Sequence, residues 1–194
     1  MRSAVDRPGR CHGQTVLALL LALCALCASP AHADDLGKRT LLLAKALSYE
    51  RRLAETKGRS VGIAVLFADG DPVSQATANR WVESFRAVAL LKVHGVSVEA
   101  WAVPYHAGRL HELVRTKGID VLLACDGVSF AAISQFARER QLLSAADTRA
   151  GIDGKLSLGV FVEGGSPRIL INVRSAKAEG AEFSAKLLQL AEVL

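Results

Sequence analysis

Between residues 36 and 56, apolar positions recur with the period of an α-helix. Leu42, Leu43, Ala46 and Leu53 fall on one side, with Lys38, Lys45, Arg52 and Glu55 on the other. This spacing predicts an amphipathic helix that stops at Gly58. The pattern then changes, because Val61–Phe67, VGIAVLF, is apolar at every position and rich in β-branched residues before the turn residues ADGDP. A run of that kind predicts a strand covered on both faces. Further on, the spacing predicts helices at 74–91, 107–117 and 129–141, alternating with strands at 96–103, 119–125 and 142–146. Alternation at this interval predicts parallel strands joined by crossover helices that cover both faces of a sheet. The last stretch breaks the rule. Residues 156–163 and 168–173 are separated only by Gly164, Gly165, Ser166 and Pro167, too few for a crossover, and predict an antiparallel hairpin. The segment AEFSAKLLQLAEVL then reads as a final helix that packs Leu187, Leu188, Leu190 and Ala191 inward. The expected fold class is therefore α/β: a single-domain three-layer αβα sandwich around a mixed, mostly parallel sheet, with a C-terminal β-hairpin and a final helix.

The first 33 residues change this picture. Arg2, Arg7 and Arg10 precede the uncharged run TVLALLLALCALCA, which leads to Ser29, Pro30 and then Ala31-His32-Ala33. A basic start, a short apolar centre and small residues before a cut after Ala33 predict a Sec signal peptide over 1–33 and an exported domain over 34–194. A membrane span needs about 20 apolar residues, and Pro30 comes too soon. The expected location is the periplasm, with the chain soluble after cleavage.

Cys11, Cys24 and Cys27 leave with such a leader, so Cys125 alone remains and no internal disulfide is expected. Stability must then come from one hydrophobic core, for which the chain is long enough. The leader's Arg2, Arg7, Arg10 and Asp6 take three of the 24 basic and one of the 19 acidic residues, leaving a mild excess of 21 over 18. Acidic residues are interspersed with the basic ones, and no aromatic side chains alternate with them, so nucleic-acid binding gains no support.

Ligands of open α/β sheets lie beyond the carboxyl ends of the strands. Asp69, Asp71, Asp126 and Ser129 fall there and form a candidate small-molecule pocket, although Asp and Ser at such places also act as turn formers and helix caps. Asp126 lies beyond its apolar run, and no Lys-Pro follows a later strand, so the set does not match a magnesium phosphoryl-transfer site. His94, His106 and His111 have no metal-ligand spacing. No serine sits in a G-x-S-x-G elbow and no glycine-rich phosphate loop occurs. The expectation is a protein without catalytic residues, metal or cofactor.

The ending carries more information. In LGVFVEGGSPRILINVRSAKAEGAEFSAKLLQLAEVL, Gly164 and Gly165 form the turn and Arg168 opens the second strand. Ile171-Asn172-Val173 closes that strand, Ala176 and Gly180 follow, and Ser184, Lys186, Leu187, Leu188, Leu190 and Ala191 complete the pattern. In order and spacing this resembles the terminal segment of the YfiR-like family of small exported proteins. The resemblance implies a homodimeric periplasmic regulator that binds an inner-membrane sensor protein. In the family's best-known member the partner is a diguanylate cyclase, repressed through its periplasmic region so that cyclic-di-GMP signalling falls, and the same kind of partner is expected here. Glu163, Arg168, Asn172 and Lys186 are the candidate partner or anion-binding surface, while Asn172 also suits a strand-to-helix turn by bonding backbone groups. A periplasmic small-molecule-binding module without catalytic activity is the alternative.

Overall fold

The structure, a computed structural model, describes residues 31–55, 59–88 and 91–194. The expected leader up to residue 30, with Cys11, Cys24 and Cys27, lies outside the described residues. Helix α1 (Ala31–Leu47) and a single 3-10 turn (Arg52–Glu55) lead into β1 (Val61–Phe67). The alternating part comprises α2 (Pro72–Ala87), β2 (Lys92–Val93), β3 (Val96–Pro104), α3 (Ala107–Lys117), β4 (Ile119–Ala124), α4 (Phe130–Arg140) and β5 (Leu143–Ala146). The chain finishes with α5 (Arg149–Asp153), β6 (Leu158–Glu163), β7 (Ser166–Ile171), α6 (Val173–Ala178), α7 (Ala185–Leu190) and β8 (Glu192–Val193).

All eight strands join one sheet in the order β2-β3-β1-β4-β5-β6-β7-β8. Strands β3, β1, β4, β5 and β6 are parallel, β2 and β7 run antiparallel to β3 and β6, and β8 returns parallel to β7. The alternation of β1 explains its composition. Val61, Ile63, Val65 and Phe67 enter a core with α1, α2, α6 and α7, while Ala64 and Leu66 enter a second core under α3, α4 and α5. Both faces of the sheet are thus covered and three layers result, as the hydrophobic pattern predicts.

Gly62 lets the central strands meet. A Cβ there would stand 2.5 Å from the carbonyl oxygen of Gly118, next to the point where the β1–β4 register shifts. Backbone cannot withdraw as a flexible side chain can, so Gly62→Ala should destabilise the fold by about 2 kcal/mol. Urea denaturation measures this, and an unchanged midpoint would contradict the close packing.

Local corrections to the sequence reading have physical causes. The helix expected over 36–56 ends at Leu47 because Glu50 turns inward. Its fully buried carboxylate accepts from the Leu53 N–H (2.7 Å) and the Glu182 N–H (2.9 Å), tying the chain to the C-terminal segment. The hairpin turn is two residues, Gly164 and Gly165, at φ 58° and 77°, so Ser166 and Pro167 belong to β7. The final helix is only α7. Leu187 is buried, whereas Leu190 is 67% exposed, because the backbone becomes extended at Ala191 and β8 adds to the sheet. Four short elements were not anticipated: β8, the helices α5 and α6, and β2, formed by a tight turn at His94-Gly95.

Candidate functional site

The connection from β1 through α2 leads to β3 on one side of β1, and the return through α3 leads to β4 on the other. This reversal opens a crevice at the carboxyl ends of β1 and β4, where α/β sheets bind ligands. Asp69, Asp71, Asp126 and Ser129 are brought together there. Asp71 caps α2, its Oδ1 accepting from the Val73 N–H (2.9 Å) and the Ser74 N–H (3.3 Å). Ser129 caps α4 by accepting from the Ala132 N–H at 3.4 Å. Asp69 faces His106, Oδ2 to Nε2 3.0 Å. Ser74, buried below, donates to the Asp126 carbonyl (2.7 Å) and accepts from the Ala68 N–H (3.0 Å), which ties the two loops together. A Cβ on Gly127 would stand 3.4 Å from the Asp71 carboxylate, so the loops approach closely. Most of these polar groups are satisfied by the protein itself, and the Asp126 side chain is exposed.

Behind the end of β5 lies Asp147, an acidic residue that the strand ends themselves point to, with two partners that sequence reasoning missed, Arg39 and Trp81. The Trp81 Nε1–H donates to Asp147 Oδ2 (3.3 Å) and the Arg39 guanidinium donates to the Asp147 carbonyl (2.7 Å) while lying 5.1 Å from the centre of the Trp81 ring. Burial pushes the Asp147 carboxyl up, opposed chiefly by the Arg39 charge. Cys125 is buried beside it with its thiol raised well above its ordinary value, again by burial first, and behaves as a small apolar residue.

The second candidate region is the opposite edge of the sheet. Arg149 links Glu192 (2.9 Å) and Glu163 (3.6 Å), and Arg168 reaches Glu163 at 4.0 Å across the hairpin. Lys186 is exposed on α7, and Leu190, Val193 and Leu194 are each about half exposed or more beside this edge. Large apolar side chains in water next to paired charges form a surface suited to protein contact. Asn172 stands apart from that network. It caps α6, its Oδ1 accepting from the Ser175 N–H at 3.0 Å, the turn-stabilising role that its residue type suggested. Nearby, a cavity of about 590 Å³ is walled by Val173, Ala176, Phe183 and Leu188, with Arg51 and Lys177 also lining it.

One buried carboxylate holds this C-terminal region to the sheet. Glu179 is fully buried; it accepts from the Ser144 hydroxyl (2.6 Å), the Ser144 N–H (2.9 Å) and the Ser157 hydroxyl (2.6 Å). Desolvation outweighs these hydrogen bonds and raises its pKa from 4.5 to about 7. The sequence held a weak signal for it, a lone glutamate among the small residues Ala176, Ala178, Gly180 and Ala181.

This segment falls within residues 82–192, which match the DUF4154, or YfiR/HmsC-like, family. The chain belongs to the YfiR/HmsC-like family. The match takes in α6, α7 and the hairpin as well as β3 to β6, so the family resemblance extends well beyond the terminal segment in which the sequence first showed it. No curated protein matches the chain. Among solved structures, it is similar to the ABC domain in complex with L-Trp from Streptococcus pneumonia, with a TM-score of 0.55 and 14% identity over 82% of this chain and 62% of that one. It is also similar to a conserved domain protein from Vibrio cholerae, with a TM-score of 0.50 and 10% identity over 74% of this chain and 57% of that one. The YfiR/HmsC-like chain thus spans less than two thirds of either structure, and the likeness concerns the fold.

Proposed function

We propose that this protein is a non-enzymatic, exported periplasmic regulator that binds an inner-membrane signalling protein, foremost a diguanylate cyclase, and represses it, lowering cyclic-di-GMP output. Membership of the YfiR/HmsC-like family carries the reading. The protein acts by binding the partner's inactive state more tightly than its active state. The edge formed by Glu163, Arg168 and Lys186 with Arg149 and Glu192 is the contact surface, and the exposed Leu190, Val193 and Leu194 supply the apolar area that a charged network alone lacks. The protein works as a homodimer, and residues 1–33 direct its export. No helix among the described residues is long and apolar enough to cross a membrane.

Crosslinking in the periplasm followed by mass spectrometry tests the pathway, and a diguanylate cyclase is the expected capture. The surface has its own test. Arg168→Glu combined with Lys186→Glu should weaken partner binding at least about tenfold, while exposed substitutions of this kind leave folding stability within about 0.5 kcal/mol. A doubly substituted protein that still binds and represses normally would remove this surface from consideration.

A second reading, a small-molecule-binding module, draws on the crevice at the β1 and β4 ends where Asp69, Asp71, Asp126 and Ser129 converge. Thermal-shift screening against periplasmic metabolites decides it, since a ligand at 100 times its Kd adds about 2.7 kcal/mol.

A further inference from the structure

A pocket of about 360 Å³ lies where α4, the turn after α5 and α6 meet, lined by Arg138, Lys155, Asn172, Arg174, Ser175 and Ala178. Three of its walls carry cations from three separate elements, and none of the lining residues is acidic. Among the described residues, no close ion pair engages Arg138, Lys155 or Arg174, and only Arg138 feels an acidic charge, that of the buried Glu179. Arg138 uses only its Nε–H internally, on the Ser134 carbonyl at 3.2 Å, so both terminal nitrogens of its guanidinium keep their donors. Converging like charges oppose one another unless an anion neutralises them.

The backbone at Lys155 is a second, independent observation. Lys155 has φ 76°, in the left-handed region that residues with a Cβ rarely adopt, although a glycine stands one position earlier at an ordinary φ of −74°. The conformation is held on both sides. The buried Ser134 hydroxyl donates to the Lys155 carbonyl at 3.0 Å, and the Lys155 N–H donates to the Ile152 carbonyl at 2.9 Å. A glycine at 155 would meet the backbone requirement without strain; what the lysine adds there is a charge at the pocket wall.

The polar inventory selects the ligand. The two guanidinium groups and the ammonium are donors only, the Ser175 hydroxyl can donate, and Asn172 has spent its oxygen on the Ser175 N–H and retains its amide donors. Such a donor set complements acceptor-only oxygens carrying more than one negative charge. The volume is that of a small-molecule pocket and not of a surface dent. We propose that this pocket binds the phosphoryl group of a phosphomonoester, held by Arg138, Lys155 and Arg174. The site is separate from the Glu163 to Lys186 contact edge and stands whether or not the regulator reading holds.

The test is calorimetric titration of the purified protein, in low-salt buffer free of phosphate, with sn-glycerol 3-phosphate, inorganic phosphate and chloride. Sedimentation with phosphatidylcholine vesicles, with and without phosphatidic acid, provides the membrane arm. Binding of glycerol phosphate, weakened at least about tenfold by Arg174→Gln and by Lys155→Gly, is the expected result. Lys155→Gly should also melt at the same or a higher temperature than the wild type, so a loss of binding in it cannot be ascribed to misfolding. Sedimentation with phosphatidic acid vesicles alone, abolished by the same two substitutions, would keep the phosphate chemistry and place its source in a membrane. The proposal is overturned if no phosphate compound binds, if chloride competes as well as phosphate, or if both variants bind like the wild type.

Discussion

Raising the pH from about 4.5 to 8 should cost the protein about 3 kcal/mol of folding stability through Glu179, and Glu179→Gln should abolish that loss. The sign follows from the direction of the shift. Burial lifts the Glu179 pKa from 4.5 to about 7, so between those values the folded chain binds a proton that the unfolded chain has released. The stabilisation is complete below pH 4.5, declines as the pH rises through 7, and is gone above it. Two and a half pH units at about 1.4 kcal/mol each give the magnitude. Glutamine resembles the protonated acid, because its carbonyl still accepts from the Ser144 N–H and its amide can donate to a serine hydroxyl. Urea denaturation at pH 5 and pH 8 for both proteins measures the difference, and equal slopes would refute the assignment. Glu179→Ala, in contrast, should be destabilising by about 3 kcal/mol at pH 5, since it strands the Ser144 N–H and two hydroxyls in the core, and by far less at pH 8, where the wild type has already lost a similar amount.

The location of this acid matters as much as its size. Glu179 joins β5 and the start of β6 to the end of α6, and Arg52 donates to its carbonyl at 2.9 Å. Loosening it loosens the segment that leads to α7 and β8, beside the proposed partner surface. A rise in pH within the ordinary range of an exported protein would therefore weaken the attachment of that surface before it weakened the central strands.

The central strands were legible from residue type alone because β1, β4 and β5 are buried on both faces and, Asp120 and Ser144 apart, carry no polar side chain. The crossover helices were equally plain, and their bounds differ from the expected ones mainly where caps intervene: Asp71 and Ser129 stand just outside α2 and α4. What the pattern could not show were features fixed by distant partners. Glu50 reads as one more polar residue on a helix, yet its bonds to Leu53 and Glu182 end that helix. Leu190 reads as core by period, and the extended backbone at Ala191 makes it surface. At the candidate surface, Glu163 and Arg168 could be paired from the hairpin, whereas Arg149 and Glu192 come from α5 and β8, elements too short to leave a periodic trace. The cationic pocket escaped for the same reason: Arg138, Lys155 and Arg174 are far apart in the chain and each looks like an ordinary solvated charge.

Trp81 is where a single substitution should do the most damage. It is fully buried, packs on Phe85 at 5.9 Å between ring centres, lies under the Arg39 guanidinium and gives its only N–H to Asp147. Three elements meet through it, α1 by Arg39, α2 by Trp81 itself and the end of β5 by Asp147. Trp81→Ala should cost about 4 to 5 kcal/mol from the cavity alone. Trp81→Phe isolates the polar part. It keeps most of the apolar volume but removes a hydrogen bond to a buried carboxylate whose Oδ1 already lacks a partner, leaving Arg39, 3.9 Å from Oδ2, as the chief compensation for that charge. About 3 kcal/mol should be lost. In an Asp147→Asn background the same change should cost about 1 to 2 kcal/mol less, because no charge is then stranded. Denaturation of the four proteins in that cycle at pH 7 decides the matter: if Trp81→Phe costs the same in both backgrounds, the indole acts by filling space and the Arg39, Trp81 and Asp147 group is not an electrostatic unit.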